Sequence, residues 1–397
     1  MTRTVVVGAG QAASQAAQSL REFGYPGAIT VIGDEPAHPY QRPPLSKTPL
    51  TGELVIDDLY IRRPTFYPDR DIRMVPGTRV TDLSFRPGDT GGTAFLEHGP
   101  PEPFDHLVLA MGGTALVPRI GGTGAERLFV LRTLADAHFL RRELGDARHL
   151  LVIGAGFVGL ELAATAAAHG IEVTVVEAAS RVLTRSVAPD VSALLLRAHE
   201  RRDIRFRLTT TVREIHGDGE RTDSVLLSDG TVLPADLVVA GIGMTPTTEL
   251  GARAGLRIEG GIVVDGHGRT SRPGVHAAGD CTVQPHPTVA DRLVRIESVP
   301  AAIAQARAVA ADITGAAPPA PTAPWFWSQQ GDLKLQMVGL IDGYERVEIE
   351  GDTTGDQFVA HYVAGERTVA VQALNAPREF AKARREMTAR MASASNR

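Results

Sequence analysis

A glycine motif near the middle of the chain constrains its fold more than any other feature. An apolar run at residues 150–153 leads into Gly154, Gly156 and Gly159, which have the spacing G-x-G-x-x-G. An alanine-rich stretch and a second apolar run ending at Glu177 follow. Strand, glycine turn, helix, strand and acid thus occur in the order of a dinucleotide-binding fold.

Each residue of this motif has a defined physical task. Gly154 permits the tight turn, Gly156 lets a pyrophosphate approach the backbone, and Gly159 allows the helix to pack closely on the strand. The first N–H groups of the helix then face the phosphates. Glu177 is placed to accept hydrogen bonds from the 2′-hydroxyl of an adenosine ribose.

The same pattern occurs at the N-terminus. A strand at residues 4–7, a glycine turn, a helix at residues 14–23 and a strand at residues 28–32 follow one another. The motif residues are Gly8, Gly10, Ala13, Asp34 and Glu35, with alanine at a third position that only has to be small. One copy could be a decayed duplicate, but both retain their pyrophosphate glycines and an acid. Two dinucleotides in one chain indicate one held permanently and one exchanged, which suggests FAD and a nicotinamide nucleotide.

Composition and charge exclude several classes of protein. The chain of 397 residues is long enough for two or three domains. A net charge of −5 gives no reason to expect nucleic acid or an anionic membrane as partner. Cys281 is the single cysteine, which excludes an internal disulfide, and the 12 histidines lack the spacing of metal ligands. We therefore expect a cytoplasmic protein with no metal site, no signal peptide and no membrane span.

The order of the remaining segments predicts three domains. Residues 209–215 are predicted to form a strand of a small antiparallel cover. A buried-strand pattern at residues 236–240, followed by glycines, marks the end of an inserted domain. Prolines concentrated in residues 316–324 mark a linker, and alternating strands with a final helix follow it. Residues 392–397, at the end of that helix, are expected to fray. We predict an FAD-binding domain from residues 1–113 and 243–318, an NADH-binding domain from residues 114–242, and a C-terminal α+β domain from residues 322–397.

Several short motifs carry a resemblance that covers essentially the whole chain. They are Arg42-Pro-Pro-Leu-Ser-Lys47, Ala278-Gly-Asp-Cys281, Arg295-x-Glu-Ser298, Trp325-Phe-Trp-Ser328, Met337-Val-Gly-Leu340, Gly343-Tyr344 and Asn375-x-Pro-x-Glu-Phe380. Together, in this order and spacing, they resemble the FAD-dependent, NADH-using ferredoxin reductases of the putidaredoxin reductase type. The resemblance implies an α/β fold of the glutathione-reductase type, with two Rossmann-type dinucleotide-binding domains and a C-terminal α+β domain.

The resemblance also implies an activity and a partner. NADH would deliver a hydride to the flavin, and the flavin would pass electrons singly to an iron–sulfur ferredoxin. That ferredoxin would serve an oxygenase, either a haem-thiolate monooxygenase or a ring-hydroxylating dioxygenase. The hydride moves directly between stacked rings, so the protein supplies positioning and electrostatics rather than an acid or a base.

The motifs and the resemblance together predict a set of site residues. The predicted cofactor-binding residues are Gly8, Gly10, Ala12, Ala13, Asp34, Glu35, Arg42, Lys47, Val80, Arg132, Gly154, Gly156, Phe157, Gly159, Glu177, Gly243, Gly279, Asp280, Val299 and Trp327. By resemblance, Asp34 would take the adenosine ribose of FAD and Asp280 the ribityl chain. The helix after Val299 would aim its positive N-terminus at the flavin. Phe157 would lie near the contact between nicotinamide and flavin.

Lys47 and Glu161 are the predicted catalytic residues, in the loose sense that applies to hydride transfer. The resemblance places them together across the interface of the two nucleotide domains, where a paired lysine could stabilise the reduced flavin. Unpaired surface charge is the alternative interpretation of both residues.

The predicted ferredoxin surface is basic, because ferredoxins are acidic and this chain is acidic overall. Its candidate residues are Arg62, Arg63 and Arg307, with Trp327 near the exposed side of the flavin. The chain departs from the family pattern at Ala301, Ala302, Gln329 and Lys334. These departures bear on redox tuning and choice of partner, and they do not affect the expected cofactors.

Three other functions share this fold. A disulfide reductase needs two cysteines beside the flavin, and the chain has one. An NADH oxidase or peroxidase usually needs a reactive cysteine near residues 45–47, where none is present. An NADH-responsive flavoprotein of the apoptosis-inducing-factor type, with little turnover, stays open.

Overall fold

A computed structural model describes residues 2–47, 50, 52–88, 90–289 and 291–395. Its first sheet is five-stranded and fully parallel, and its central strands are apolar and buried on both faces, as is typical of such sheets. In spatial order the strands are Val275–Ala277, His106–Leu109, Arg3–Val7, Ala28–Ile32 and Ile72–Val75. The outer strand Val275–Ala277 comes from much later in the chain than its neighbours, so two separate stretches build this sheet.

Helices and a small antiparallel sheet cover this first sheet. The helices Gln11–Glu22 and Val299–Thr314 pack against each other and share a core of small side chains, including Ala13, Ala16 and Ala306. The antiparallel sheet contains Val80–Phe85, Gly92–Leu96 and Glu102–Phe104. Shorter elements nearby are the helices Ile56–Leu59 and Glu249–Arg253, the 3-10 turns Pro43–Ser46, Pro64–Phe66 and Pro68–Arg70, and the strands Ile262–Val263, Thr282–Pro285 and Leu293–Val294.

The second parallel sheet repeats this plan. Its strands, in spatial order, are Ile204–Leu208, Glu172–Glu177, His149–Ile153, Leu237–Ala240 and Leu128–Val130. The helices of this region are Leu134–Asp146, Phe157–Ala167 and Pro189–Glu200, and the 3-10 turn Ala125–Arg127 precedes the first. The antiparallel strands Val212–Gly217, Thr222–Leu227 and Val232–Pro234 form its cover. Two short strands, Gly113–Ala115 and Met244–Pro246, pair where the chain enters and leaves this unit.

The C-terminal region is an antiparallel sheet with one long helix. Its strands, in spatial order, are Trp325–Gln330, Leu333–Gly339, Arg367–Leu374, Gln357–Ala364 and Arg346–Asp352, and the helix is Pro377–Ser395. This sheet shares a hydrophobic core with the second parallel sheet, since Phe358, Tyr362 and Leu333 pack in the same cluster as Val191 and Leu195. The two regions are therefore docked rather than loosely linked.

The predicted fold class is confirmed, while some element boundaries differ from the prediction. The strand expected from residue 209 begins at Val212, because Thr209 has a φ of 54°, a left-handed conformation that a strand cannot contain. Residues 392–395 continue the last helix, although we expected them to fray. The three predicted domains and their boundaries stay a prediction. In the described part of the chain, no helix combines the length and apolar character needed to cross a membrane.

Candidate active site

Both glycine turns open into one groove between the two parallel sheets and the C-terminal region. The groove has a volume of about 1540 Å³. A pocket for one small molecule has a volume of roughly 300–1,000 Å³, so the groove has room for more than one ligand. Its wall contains residues of both dinucleotide motifs and two aromatic residues of the C-terminal sheet, Phe326 and Trp327.

The N-terminal turn forms an open cradle. Gly8 has a φ of 113°, and a Cβ there would overlap the carbonyl oxygen of Ala110. Gly10 is the N-cap of the Gln11–Glu22 helix, and a Cβ added to it would meet nothing within 4 Å. Among the described residues, no side chain caps this helix, so its first N–H groups remain available to a ligand. An uncapped helix N-terminus beside open backbone is the arrangement that binds a pyrophosphate.

The second turn repeats this geometry. Gly154 has a φ of 100°, and its Cβ would lie 2.8 Å from the carbonyl oxygen of Gly241. A Cβ at Gly159 would overlap the carbonyl oxygen of Gly154, so this position must be glycine for the helix to pack on the turn. Gly156 is the N-cap of the Phe157–Ala167 helix, which also lacks a side-chain cap within the described ranges. Both turns therefore fit the phosphates of a dinucleotide, and the residues present fit FAD and NAD(H).

The acids that follow the second strand of each motif differ in their environments. Glu177 accepts hydrogen bonds from the backbone N–H of Ala155 at 2.7 Å and of Ala179 at 2.8 Å. These bonds hold its carboxylate at the edge of the groove with lone pairs left for a ribose hydroxyl. Asp34 is mostly exposed on the groove wall, 3.6 Å from Arg79.

Glu35 has a structural partner instead of a free carboxylate. It accepts from Arg42 at 2.6 Å and from the Tyr40 hydroxyl at 2.5 Å. Tyr40 in turn accepts from the backbone N–H of Leu134, and Arg42 donates to the carbonyl oxygen of Arg132. Burial raises the pKa of Tyr40, which keeps its hydroxyl protonated. This network ties the loop after the second strand to the segment that begins the second domain.

Lys47 and Glu161 form an ion pair, as the resemblance implied. The Lys47 Nζ lies 2.8 Å from Glu161 Oε2, and the Glu161 side chain is 7% exposed. Ser46 also donates to this carboxylate, and Lys47 donates to the carbonyl oxygen of Pro43 at 2.5 Å. Glu161 lines the groove, whereas Lys47 contacts Glu161 without lining the groove itself. Paired charge at the groove wall replaces the alternative of two unpaired surface charges, while a role in hydride transfer stays a prediction.

Polar groups from two further elements converge on the opposite part of the groove. Arg132 lies 3.2 Å from Asp280 and donates to the carbonyl oxygen of Gly113 at 3.0 Å. The Val299–Thr314 helix begins at Ser298, whose hydroxyl accepts from the backbone N–H of Ala301 at 3.2 Å. Glu297, Ser298 and Val299 line the groove, so this helix does present its N-terminus to the cavity.

Most of the predicted cofactor-binding residues line the groove. They are Gly8, Gly10, Ala12, Asp34, Glu35, Arg42, Val80, Arg132, Gly154, Gly156, Phe157, Glu177, Gly243, Gly279, Asp280, Val299 and Trp327. Ala13, Lys47 and Gly159 do not line it. Ala13 and Gly159 instead allow close packing of helix on strand, and Lys47 reaches the groove only through Glu161.

Several groove residues carry no signal in the sequence that would have identified them. Arg185 lies beside Gly243, and Phe326 packs on Phe157 with ring centroids 4.7 Å apart. Phe326 could have been found only as a neighbour of Trp327. Tyr40 lies in a loop without regular sequence pattern, and its hydroxyl connects Glu35 to Leu134, which is distant in sequence.

The single thiol has no access to this chemistry. Cys281 is fully buried, and its sulfur lies 3.6 Å from the carbonyl oxygen of Leu109. Burial raises the pKa of the Cys281 thiol to about 11. A buried, protonated thiol is a poor nucleophile, which excludes thiol-based reduction at this site.

The predicted ferredoxin-docking arginines converge on the exposed side of the Gln11–Glu22 helix. Arg62 donates to Gln18 at 2.9 Å, and Arg307 pairs with Glu22 at 3.1 Å. Gln18 and Glu22 are themselves hydrogen-bonded at 2.6 Å. Arg63 is exposed nearby in sequence. The structure therefore joins Arg62 and Arg307 in one surface, although Glu22 partly neutralises it.

Comparison with known proteins identifies relatives along the whole chain. Residues 2–306 match the family described as pyridine nucleotide-disulphide oxidoreductase, and residues 325–397 match the reductase C-terminal family. The chain is 41% identical to putidaredoxin reductase of Pseudomonas putida over 392 residues, which cover 98% of this chain and 92% of that protein. It is 38% identical to rhodocoxin reductase of Rhodococcus erythropolis over 387 residues, covering 98% and 90% of the two chains. A solved structure, the covalent putidaredoxin reductase–putidaredoxin complex, matches with a TM-score of 0.92 and 39% identity, covering 98% of this chain and 93% of that one.

Proposed function

The chain belongs to the pyridine nucleotide-disulphide oxidoreductase family, and from this premise we propose that it is an NADH-dependent ferredoxin reductase. Its cofactors are FAD and NAD(H). It oxidises NADH and reduces an iron–sulfur ferredoxin, which in turn serves an oxygenase. Relatives named putidaredoxin reductase and rhodocoxin reductase support this reaction, as does a solved complex of such a reductase with putidaredoxin.

Bound FAD supplies the change from two-electron to one-electron chemistry. The N-terminal cradle at Gly8 and Gly10 would hold the FAD pyrophosphate, and the cradle at Gly154 and Gly156 would hold that of NADH. Because both cradles open into one groove, the two nucleotides would share one cavity, in which a hydride can pass directly between their rings. Phe157, Phe326 and Trp327 line the same groove and make its C-terminal side apolar.

The observation that carries this proposal is the pairing of two dinucleotide cradles in a groove that contains no accessible thiol. We expect yellow protein whose flavin absorbance bleaches when NADH is added without oxygen. Addition of a [2Fe–2S] ferredoxin should strongly increase NADH-driven reduction of cytochrome c. Bleaching without any ferredoxin-dependent turnover would instead support an NADH-responsive flavoprotein, and fast oxygen consumption without ferredoxin would support an oxidase.

We expect the protein to prefer NADH to NADPH. The Glu177 carboxylate, fixed by two backbone N–H groups, would repel a 2′-phosphate. Arg181 cannot easily replace it as a phosphate ligand, because its guanidinium donates to the carbonyl oxygens of Val187 and Thr184 at 2.8 Å. Glu177→Ala should reduce the NADH/NADPH ratio of kcat/KM by about tenfold or more, a cost of about 1.4 kcal/mol.

The control for this measurement is Glu172→Ala, which changes an exposed glutamate on the same strand, remote from the groove. It should leave the ratio unchanged. Equal use of both nucleotides by the unaltered protein would contradict the role of Glu177.

We further propose that the ferredoxin docks on the surface formed by Arg62, Arg63 and Arg307. The Arg307→Glu variant places a second carboxylate beside Glu22 and makes this part of the surface negatively charged. Ferredoxin-dependent turnover should fall by about tenfold at low salt, with a smaller defect at high salt because screening weakens steering. Reduction of a small uncharged quinone should remain normal.

Arg205→Glu is the matched control. Arg205 is an exposed side chain on the edge strand of the second parallel sheet and pairs with Glu172 at 3.0 Å, so the charge change and local environment are similar. If Arg205→Glu and Arg307→Glu lower turnover equally, general charge and not a docking surface is responsible. If quinone reduction falls together with ferredoxin reduction in Arg307→Glu, the residue supports the fold instead.

We also propose that the protein acts in the cytoplasm. A chain with a single, buried cysteine needs no oxidising compartment, and NADH is supplied there.

A further inference from the structure

The carboxylate of Glu161 has a second side that faces away from Lys47. Its Oε1 atom accepts a hydrogen bond of 2.7 Å from the hydroxyl of Ser328. Ser328 belongs to the Trp325–Gln330 strand of the C-terminal sheet and is fully buried. Thus the C-terminal region reaches the groove not only through its aromatic residues but also through this hydroxyl.

Ser328 is held by a chain of buried side chains. The amide nitrogen of Gln330 donates to Ser328 Oγ at 3.1 Å, and the amide oxygen of Gln330 lies 2.7 Å from His199 Nε2. Both Gln330 and His199 have no exposed surface. His199 lies on the Pro189–Glu200 helix of the NADH-binding region. This series of hydrogen bonds therefore passes through two domains before it reaches Glu161.

The hydrogen bonds of this chain all run in one direction. An amide oxygen can only accept, so His199 donates with Nε2 and Gln330 donates onward with its amide nitrogen. Ser328 accepts from Gln330, which leaves its own hydrogen for the carboxylate of Glu161. Burial lowers the pKa of His199 to about 4, so the ring stays neutral and keeps this single donor arrangement. Ser328 is thereby fixed as a donor to Glu161.

Ion pairs of one arginine lie next to the His199 end of this series of hydrogen bonds. Arg202 follows the helix that carries His199 and donates to both carboxylate oxygens of Asp332, at 2.6 and 2.7 Å. It also donates to Asp356 at 2.8 Å. Asp332 lies two residues after Gln330, in the turn that follows the Trp325–Gln330 strand. This bidentate contact joins the end of the helix that carries His199 to the turn after the strand that carries Gln330.

We propose that Ser328 and Gln330 are positioning residues, which hold the Glu161 carboxylate in the orientation that keeps Lys47 paired beside the groove. Lys47 and Ser46 donate to Oε2 and Ser328 donates to Oε1, so the three donors together fix both the position and the rotation of the carboxylate. The C-terminal domain then has a part in the reaction with NADH in addition to its aromatic contribution. This inference rests on the proposed function, because it assigns the carboxylate a role in flavin reduction.

The test compares three variants with a matched control. Ser328→Ala removes the hydroxyl, Ser328→Thr retains it, and Gln330→Met removes the amide at nearly constant volume. The control, Ser192→Ala, deletes a buried serine hydroxyl that donates to the carbonyl oxygen of Val182 at 2.6 Å. Ser192 lies in the NADH-binding region and takes no part in the hydrogen bonds between His199 and Glu161. It therefore matches the loss of one buried hydrogen bond.

The first readout is the reactivity of Lys47 and does not depend on turnover. The lysines of the chain are Lys47, Lys334 and Lys382, and the latter two are exposed internal references. An acylating reagent and peptide mass spectrometry measure the labelling rate of each in the FAD-loaded protein. In Ser328→Ala, Lys47 should be labelled about threefold to tenfold faster relative to the references, as expected when a hydrogen bond to a charged group is lost. Gln330→Met should shift the rate in the same direction by less.

The second readout is the rate of flavin bleaching by NADH, measured by stopped flow. It should fall about fivefold in Ser328→Ala, from the loss of one charge-assisted hydrogen bond. Ser328→Thr should restore both readouts to within about twofold of the parent.

The proposal would be overturned if Ser328→Ala matched Ser192→Ala in both readouts. It would also be overturned if Ser328→Ala slowed bleaching without changing Lys47 labelling, or accelerated labelling without changing bleaching. Failure of Ser328→Thr to restore either readout would overturn it as well. If Ser328→Ala does not fold, Gln330→Met decides by the same criteria. Failure of the unaltered protein to reduce any ferredoxin would sink the proposed function alone, since the labelling comparison needs no ferredoxin.

Discussion

Replacement of Gly8 by alanine is expected to produce protein that does not retain FAD. The φ of 113° at Gly8 is costly for any residue with a Cβ, by about 1–2 kcal/mol. The added Cβ would also overlap the carbonyl oxygen of Ala110, which is backbone and cannot swing away. The turn must therefore move, and the cradle with it. Flavin absorbance after gel filtration and the melting temperature should both fall.

Gly10→Ala separates ligand binding from folding. Its backbone φ of −94° suits alanine, and its Cβ would meet no protein atom within 4 Å. The apoprotein should therefore be as stable as the parent, while FAD retention is lost because the methyl group occupies the open side of the cradle. Gly145 lies on the exposed face of the Leu134–Asp146 helix, where an added Cβ would meet nothing within 4 Å, so Gly145→Ala should retain FAD and gain up to about 1 kcal/mol in stability. Normal flavin content in Gly10→Ala would show that the pyrophosphate lies elsewhere.

Replacement of Lys47 by alanine is expected to slow flavin reduction by NADH about 30-fold, which corresponds to about 2 kcal/mol. Without the ammonium, the buried Glu161 carboxylate has no counter-charge at the groove wall. A negative charge in that position opposes the arrival of a hydride, and its burial without a partner also destabilises the fold by about 3 kcal/mol. Stopped-flow absorbance measures the first effect, and thermal unfolding measures the second.

The exposed lysines provide the control for this experiment. Lys382→Ala removes the same charge from the outer face of the C-terminal helix and should change neither quantity. Flavin content of Lys47→Ala should be largely retained, because Lys47 does not line the groove. Reduction kinetics equal to those of the parent would remove Lys47 and Glu161 from the mechanism.

Both dinucleotide folds could be predicted from the sequence because their determinants are local. Gly8 and Gly154 have positive φ angles, and Gly159 packs against Gly154 of its own strand–turn–helix unit, so the motif spacing contains the geometry. Apolar runs that are buried on both faces also identify parallel strands without reference to the rest of the chain. By contrast, Thr209 was placed in a strand because its left-handed backbone has no clear local signal.

The resemblance predicted the contact between Lys47 and Glu161, yet it did not predict the surroundings of either residue. Glu35 was predicted only as a cofactor ligand, and the fold gives it Arg42 and Tyr40 as partners. Such partners depend on where a loop is held, which sequence spacing does not encode. The same applies to Arg307, whose pairing with Glu22 arises only because two helices pack side by side.

What the sequence determined by itself is the class of ligand and the fold class, since these depend on short motifs whose geometry is local. What only the tertiary structure decided is which polar groups meet at Glu161. Ser46 and Ser328 are 115 and 167 positions away from it, and His199 is 131 positions from Gln330. Hydrogen bonds act over about 3 Å, so these partners meet only after three domains have packed on one another. No pattern along the chain contains that information.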